Sequence, residues 1–598
     1  MSPEHRQFYT GILFLICYDQ LIDVQEPVTT PIAVSSFGKD PCQNLNVHRL
    51  RRGLVLANLC SSGMIFPMSK TAVSHLLVMA IVCGLVNACI PSASPPTAPP
   101  PAPTATAVML PQNSTHAVIN HRTPAPVPPR ETAENAEQSP VTATNCTPPG
   151  SDESSATRYD INAVLDYDTK TVAVEQDILF RNDTPSSLEE IVLYVSPNSQ
   201  PGVFTLDALS LDNAPDAPLA VLEGVRLTVP LAEALTPHCQ QRLHLTFRLQ
   251  PPRMGTGYFP RHGYFGYNDR QFNLGHWVPT VAYHDGSSWV TPIPINVGEQ
   301  QVIPAADFSV TLTVNNAPDG LIVVGPGTVQ QTDATWHFEL PMARDLTISL
   351  SDQYSHLSAT SPTGVTIELY TLNDAQPPDS ETHYNAPEHT LETATAAVDL
   401  YSDLYGPYPY ERLVVLESAF PDGMEFSGLI FVGGEWFRSY AGQPTSYLTL
   451  ITAHEVAHQW WYAIVGNDQS TNPWLDESLA TYSELIFLQE NYPDLTDWWW
   501  GFRVDSWSPQ GYVDSTVYQF DTLRSYINAV YLRGAHLIHA LRQEMGNEAF
   551  FQWLHDYVES MRGEIATPAD LWTAMPARYR DATAEIRAAY LRRPNGTS

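Results

Sequence analysis

His454, Glu455 and His458 lie within five residues, and Glu477 follows with eighteen residues in between. On a helix, positions i and i+4 share a face, so the two imidazoles can offer nitrogen to one metal ion at roughly 2.0 to 2.1 Å. Glu455 sits one step round the same turn. It reaches a metal-bound water rather than the metal, where a general base for hydrolysis must stand. With Glu477 as third ligand, the set leaves a coordination position open for water. The chemistry that follows is hydrolysis assisted by one Zn2+ per chain, with His454, His458 and Glu477 as metal ligands.

Two helices must position these groups. Thr452 and Ala453 lead into an apolar run, and Asn472-Pro473 reads as an N-cap followed by proline at the first helical position. Leu479, Tyr482, Leu485, Ile486 and Leu488 give the second helix a buried face, so Glu477 projects from a rigid element toward the first. Thr481, one turn beyond Glu477, is a candidate to orient a ligand. Further helical patterns cover Leu391 to Tyr405, Ala529 to Met545 with Gly546 as stop, and Asn547 to Met561, and Thr567-Pro568 opens a last short helix. From about residue 155 the period is two instead, as in Ile161, Ala163 and Leu165, and it persists to Leu350. The Trp460-Trp461-Tyr462 and Trp498-Trp499-Trp500 runs read as core.

Three motifs resemble the gluzincin zinc metallopeptidases of aminopeptidase N and leukotriene hydrolase type. They are His454-Glu455-x-x-His458 with Trp474-Leu475-Asp476-Glu477, then Gly423-Met424-Glu425-Phe426, and Tyr531-Leu532-Arg533-Gly534-Ala535. With Gly406-Pro407-Tyr408-Pro409-Tyr410 they occur in the family's order, and the likeness spans about residues 155 to 580. Phe426 stands where the family usually has asparagine, and Ser478 where it more often has glycine. The family's substrate-facing glutamine has no match at Asn273 to Trp277. The resemblance implies catalytic roles for Glu455 and Tyr531, the latter as donor to the oxyanion. It also implies substrate binding by Glu425, with Gly423 allowing close backbone approach and Met424 lining the pocket. Glu425 would pair with a free α-ammonium and so set an aminopeptidase's register. The fold class expected is an N-terminal antiparallel β-sandwich-like domain (154–360) followed by a thermolysin-like, mainly helical catalytic domain (361–598). The implied protein is a bacterial, lipoprotein-like member lacking the C-terminal helical domain. A thermolysin-type endopeptidase is the alternative enzyme, and a degenerate surface-binding module the alternative outside enzymes.

The net charge of -34 argues against nucleic acid as a partner, and 43% apolar residues suffice for sizeable cores. Residues 76 to 88 form an apolar run too short to span a bilayer but suited to a signal segment, which assigns 1–88 to an extension with a signal core. Val86-Asn87-Ala88-Cys89 resembles a bacterial lipobox. A lipidated Cys89 would make the protein a membrane-anchored, extracytoplasmic one acting on peptides with a free N-terminus. The distance of the core from Met1 favours translation from Met64 or Met68. Residues 91 to 150 hold 15 of the 51 prolines, and 89–153 reads as a linker. Cys146 and Cys239 can form a disulfide or remain two free thiols.

Overall fold

The computed structural model describes residues 156–212, 219–254, 263–373, 384–594 and 596. The expectations for the signal core, Cys89, the linker and Cys146 lie outside these residues. Cys239 is disulfide-bonded. No helix among the described residues is long and apolar enough to cross a membrane.

Alternation builds the N-terminal region as the period-two pattern requires. Along Arg158–Asp166 every second side chain is buried, and the same holds for Thr171–Arg181. These strands sit at the centre of a seven-stranded sheet in the order Thr328–Thr332, Thr335–Ala343, Ala306–Asn315, Arg158–Asp166, Thr171–Arg181, Gln240–Leu249, Phe204–Leu211. Its inner face carries Ile161, Val174, Leu245, Val310 and Phe338, and two four-stranded sheets and a two-stranded one (Tyr283–His284 with Trp289–Val290) complete the described β-rich region. The large sheet is mixed rather than purely antiparallel, because Arg158–Asp166 pairs in parallel with Ala306–Asn315. Those two strands are joined by a long excursion through other sheets, and a connection of that length has no need to reverse direction.

A further sheet, Tyr354–Thr360, Thr366–Leu372, Arg412–Ser418 and Leu429–Gly433, begins the helical region. Thr366–Leu372 and Arg412–Ser418 run parallel, with helix α1 (Ala386–Tyr405) as the crossover between them. The side chain of Asn385 caps α1 by accepting from the Glu388 N–H, and Pro387 stands within its first turn, where no donor is missed. Helices α2 (Tyr447–Ala457) and α3 (Trp474–Asn491) carry the metal-site motif. α1 fixes their spacing through a tyrosine. The buried Tyr401 hydroxyl lies 2.9 Å from the Ser483 carbonyl on α3 and 3.3 Å from the Ala453 carbonyl on α2. Helix α4 (Arg533–Met545) packs on α3 and ends at Gly546, whose φ of 76° is the conformation a glycine stop provides. Helix α5 (Asn547–Met561) follows with the bounds its periodicity indicates.

Candidate active site

Ser446 caps α2, its hydroxyl accepting from the Thr449 N–H at 3.3 Å, six residues before Thr452. Every residue from Leu448 to Ala457 is buried, so its two ionisable side chains, His454 and Glu455, enter a dry environment. Beyond His458 the helix cannot continue. Trp460 anchors its indole N–H on the Gly406 carbonyl at 2.8 Å, Trp461 on the Ser483 hydroxyl at 3.2 Å, and the backbone departs from helical angles at Trp461 and Tyr462. That departure frees carbonyls. Arg344, arriving from the β-rich region and 1% exposed, donates to the carbonyls of Tyr462, Ile464 (3.0 Å), Glu564 (2.9 Å) and Ile303 (2.8 Å). α3 starts at Trp474 behind Pro473. Asn472 contributes its carbonyl to the Leu475 N–H rather than a side-chain cap, so the expected N-cap lies one residue early. A proline at the cap position leaves the asparagine carbonyl to accept the first turn's donor.

His454, His458 and Glu477 converge, with ligand atoms all within 4.8 Å of one another. His454 Nε2 is 3.1 Å from His458 Nε2 and 3.3 Å from Glu477 Oε2, and His458 Nε2 is 3.4 Å from that oxygen. Three ligands at 2.0 to 2.1 Å from a tetrahedral ion stand about 3.3 Å apart, so the triangle has the size zinc requires. The proton positions agree. His458 Nδ1 is 3.0 Å from the Trp461 carbonyl, which can only accept, and His454 Nδ1 is 3.0 Å from the Glu484 carboxylate. Both protons therefore sit on Nδ1, and two Nε2 lone pairs face a carboxylate oxygen, an arrangement that asks for a cation.

Glu455 is 5% exposed, and its Oε2 has no hydrogen-bond partner among the described residues. Burial pushes its carboxyl well above the usual range, opposed by His458 and reinforced by Glu425, Asp422 and Glu477. Gly423 explains why this carboxylate lies where it does, since a β-carbon there would come within 2.0 Å of Glu455 Oε1. Glu425 is buried nearby, and its Oε1 accepts from Gln469 Nε2 at 3.0 Å. Met424 is placed differently from the pocket-lining position expected. It is 1% exposed and packs in an apolar cluster with Phe420, Phe426 and Phe431, because its backbone pairs with Phe431 and the alternation turns its side chain into the core. Tyr531 stands on a π-helical turn (Ile527–Leu532), donates its hydroxyl to Glu477 Oε1, and stacks parallel to His454 with centroids 5.9 Å apart. Gly534 permits the approach of that turn to α3, because a β-carbon there would meet Ser478 Oγ at 2.1 Å. Ser478 itself donates to the Val530 carbonyl at 2.6 Å.

Several contributors escaped the sequence reading. Thr481 does not orient a ligand, for its hydroxyl has no partner among the described residues, whereas Glu484 does. Glu484 lies seven residues after Glu477, two turns along the same face, and that periodicity is the signal for it. Arg503 grips Glu484 with Nη2 to Oε1 at 2.9 Å and Nε to Oε2 at 3.0 Å, and the Trp499 indole adds a third donor at 3.0 Å. Neither Arg503 nor Arg344 carries a local signal. Where the family's glutamine was sought, Asn273 is buried in a network with Gln271 and Ser349. His276, at φ 46°, packs edge-on against Tyr264 and Phe426. Burial lowers the His276 pKa to about 3, so its ring is neutral.

The site holds the ligand set that the motifs' resemblance to zinc metallopeptidases implies. Residues 389–590 match the Peptidase family M1 domain, and every site residue named above from Glu425 to Tyr531 falls inside that stretch. That stretch of the chain is thus similar to a family M1 peptidase domain. It is 24% identical over 377 residues to the human protein named endoplasmic reticulum aminopeptidase 2, covering 59% of this chain and 37% of that one. It is 26% identical over 202 residues to aminopeptidase M1-A of Oryza sativa subsp. japonica, covering 31% of this chain and 23% of that one. The chain thus spans well under half the length of these relatives. The M1 zinc metallopeptidase from Deinococcus radiodurans shares the fold at a TM-score of 0.53 and 19% identity, covering 74% of this chain and 94% of that one. A mutant of that metallopeptidase has been solved with a Tyr-Ser-Ala substrate.

Proposed function

We propose that the protein is a zinc aminopeptidase that removes N-terminal residues from peptides outside the cytoplasm, held to a membrane through a lipidated Cys89. The observation that carries the reading is the buried His454, His458 and Glu477 triangle with two further carboxylates, Glu455 and Glu425, beside it. Zinc bound by those three residues would acidify a water and polarise the scissile carbonyl. Glu455, through its unpartnered Oε2, takes the proton of the attacking water and passes it to the departing amine. Tyr531, whose hydroxyl already reaches Glu477 Oε1, donates to the oxyanion. Glu425 pairs with the α-ammonium and holds the scissile bond one residue from the chain end. The solved Deinococcus mutant with its Tyr-Ser-Ala substrate supports a peptide as the ligand class.

Two measurements test this reading. Glu455→Gln should retain one zinc per chain while turnover falls by about 100- to 10,000-fold. A panel of free aminoacyl reporters should be cleaved while their N-acetylated forms are not, and Glu425→Ala should raise KM on the free substrates. Efficient cleavage of blocked peptides at internal bonds would establish an endopeptidase instead, and an active metal-free protein would refute the mechanism.

A further inference from the structure

Gln469 is the least explained polar group near the site. It lies in the loop between α2 and α3 and is 2% exposed. Its amide nitrogen donates to two carboxylates at once, Glu425 Oε1 at 3.0 Å and Asp476 Oδ2 at 3.0 Å. Both N–H bonds are thereby committed, and that fixes which end of the amide is the oxygen. The oxygen, Oε1, is buried and has no hydrogen-bond partner among the described residues. A buried amide oxygen left without a donor costs about 1 to 3 kcal/mol, so a donor from outside the chain is the economical account of it.

The loop is built to hold this side chain still. The Gln469 N–H donates to the Gln301 carbonyl at 3.2 Å. Asp468 Oδ1 accepts from the N–H groups of Ser470 (2.9 Å) and Thr471 (3.1 Å), and its carbonyl from Asn472 (2.8 Å). Charge says what kind of donor is wanted. Glu425, Glu455, Asp476 and Glu477 are four buried carboxylates, and both metal histidines present their Nε2 lone pairs inward. A cationic N–H donor suits a site lined by carboxyls. An α-ammonium carries three N–H bonds, more than Glu425 alone can use well.

We infer that Gln469 is a specificity-determining residue, whose Oε1 accepts an N–H from the α-ammonium that Glu425 pairs with. Asp476 belongs to the same device, since it holds the amide in the orientation that presents oxygen to the substrate. The inference rests on the aminopeptidase reading and adds to it a second amine receptor on the loop between the two metal helices.

The test uses the zinc-loaded full chain and the free aminoacyl 4-nitroanilide cleaved fastest in the panel above. The deaminated acid of its acyl part, a carboxylic acid with the same side chain and no amine, serves as competitive inhibitor. Gln469→Met should raise KM for the free substrate about 10- to 100-fold, the loss of one charge-assisted hydrogen bond, with a smaller change in kcat. The inhibition constant of the deaminated acid should not move. The KM increase should also appear when Gln469→Met is added to Glu425→Ala. Unchanged KM, an equal loss for the deaminated acid, or no further loss in the Glu425→Ala background would overturn the inference. The last of these results would make Gln469 only a support for Glu425. Should Gln469→Met fail to hold zinc, Gln469→Glu keeps an acceptor oxygen and must still prefer the amine; indifference to the amine would overturn the proposal. If the wild-type protein itself does not distinguish amine from deaminated analogue, the aminopeptidase reading fails first, a result distinct from failure of Gln469 alone.

Discussion

The two metal histidines are held by opposite means. His454 leans on a charge, with its Nδ1–H on Glu484, which a buried Arg503 grips through two hydrogen bonds. His458 leans on backbone, with its Nδ1–H on the Trp461 carbonyl, in a kinked segment whose next carbonyls are gathered by a buried Arg344. Each support ends in an arginine, yet only one includes a carboxylate. Burial disfavours the charge on Glu484, and Arg503 outweighs burial and holds the carboxyl below its usual range. An imidazole hydrogen-bonded to an ionised carboxylate is the more basic ligand, whereas a carbonyl fixes orientation with little electronic effect. The His454 side would therefore tune a bound metal, and the His458 side would fix the orientation of its imidazole.

Arg344→Met should break the comparison most severely. Four carbonyls would lose their donor, three of them in the segment after α2 or paired beside it, at about 1 to 3 kcal/mol each. A loss on the order of 5 kcal/mol or more rivals the stability of a whole domain, and thermal unfolding followed by circular dichroism should show it. Glu484→Ala comes next. Leaving Arg503 buried without its partner costs about 3 to 5 kcal/mol, and zinc affinity, measured by competition with a chelator, should fall about 10- to 100-fold. The double variant Glu484→Gln, Arg503→Met sharpens the contrast, since removing both charges should recover most of that stability while the loss of zinc affinity persists. If affinity recovers as well, the carboxylate was never tuning the metal. The smallest effect is expected from Tyr401→Phe, about 1 kcal/mol in unfolding free energy with turnover unchanged, because the hydroxyl spaces α2 and α3 without touching the ligands.

Spacing alone made the chemistry legible. His454, Glu455, His458 and Glu477 are determined by helix geometry, and the structure brings the ligand set together with a triangle of the right size. The period-two stretches read equally well as strands, since every second residue is buried. Parallel pairing of Arg158–Asp166 with Ala306–Asn315 was not legible, because strand direction follows from the path between strands and not from their composition. The supporting residues stayed hidden for a related reason. Arg344, Arg503 and Gln469 are residue types usually found at surfaces, and only the tertiary fold shows that carbonyls or carboxylates await them. Met424 misled through proximity in sequence to Glu425, since neighbours on an extended segment point to opposite sides.

Arg344 and the strand Tyr354–Thr360 make the β-rich and helical regions inseparable in practice. A fragment cut at residue 361 would leave the Ile464 and Glu564 carbonyls without their donor and uncover one edge of Thr366–Leu372. An uncovered edge is a template for pairing with another chain, so such a piece would aggregate before it could be assayed. Swapping catalytic halves between relatives meets the same obstacle. The seam must travel with the site.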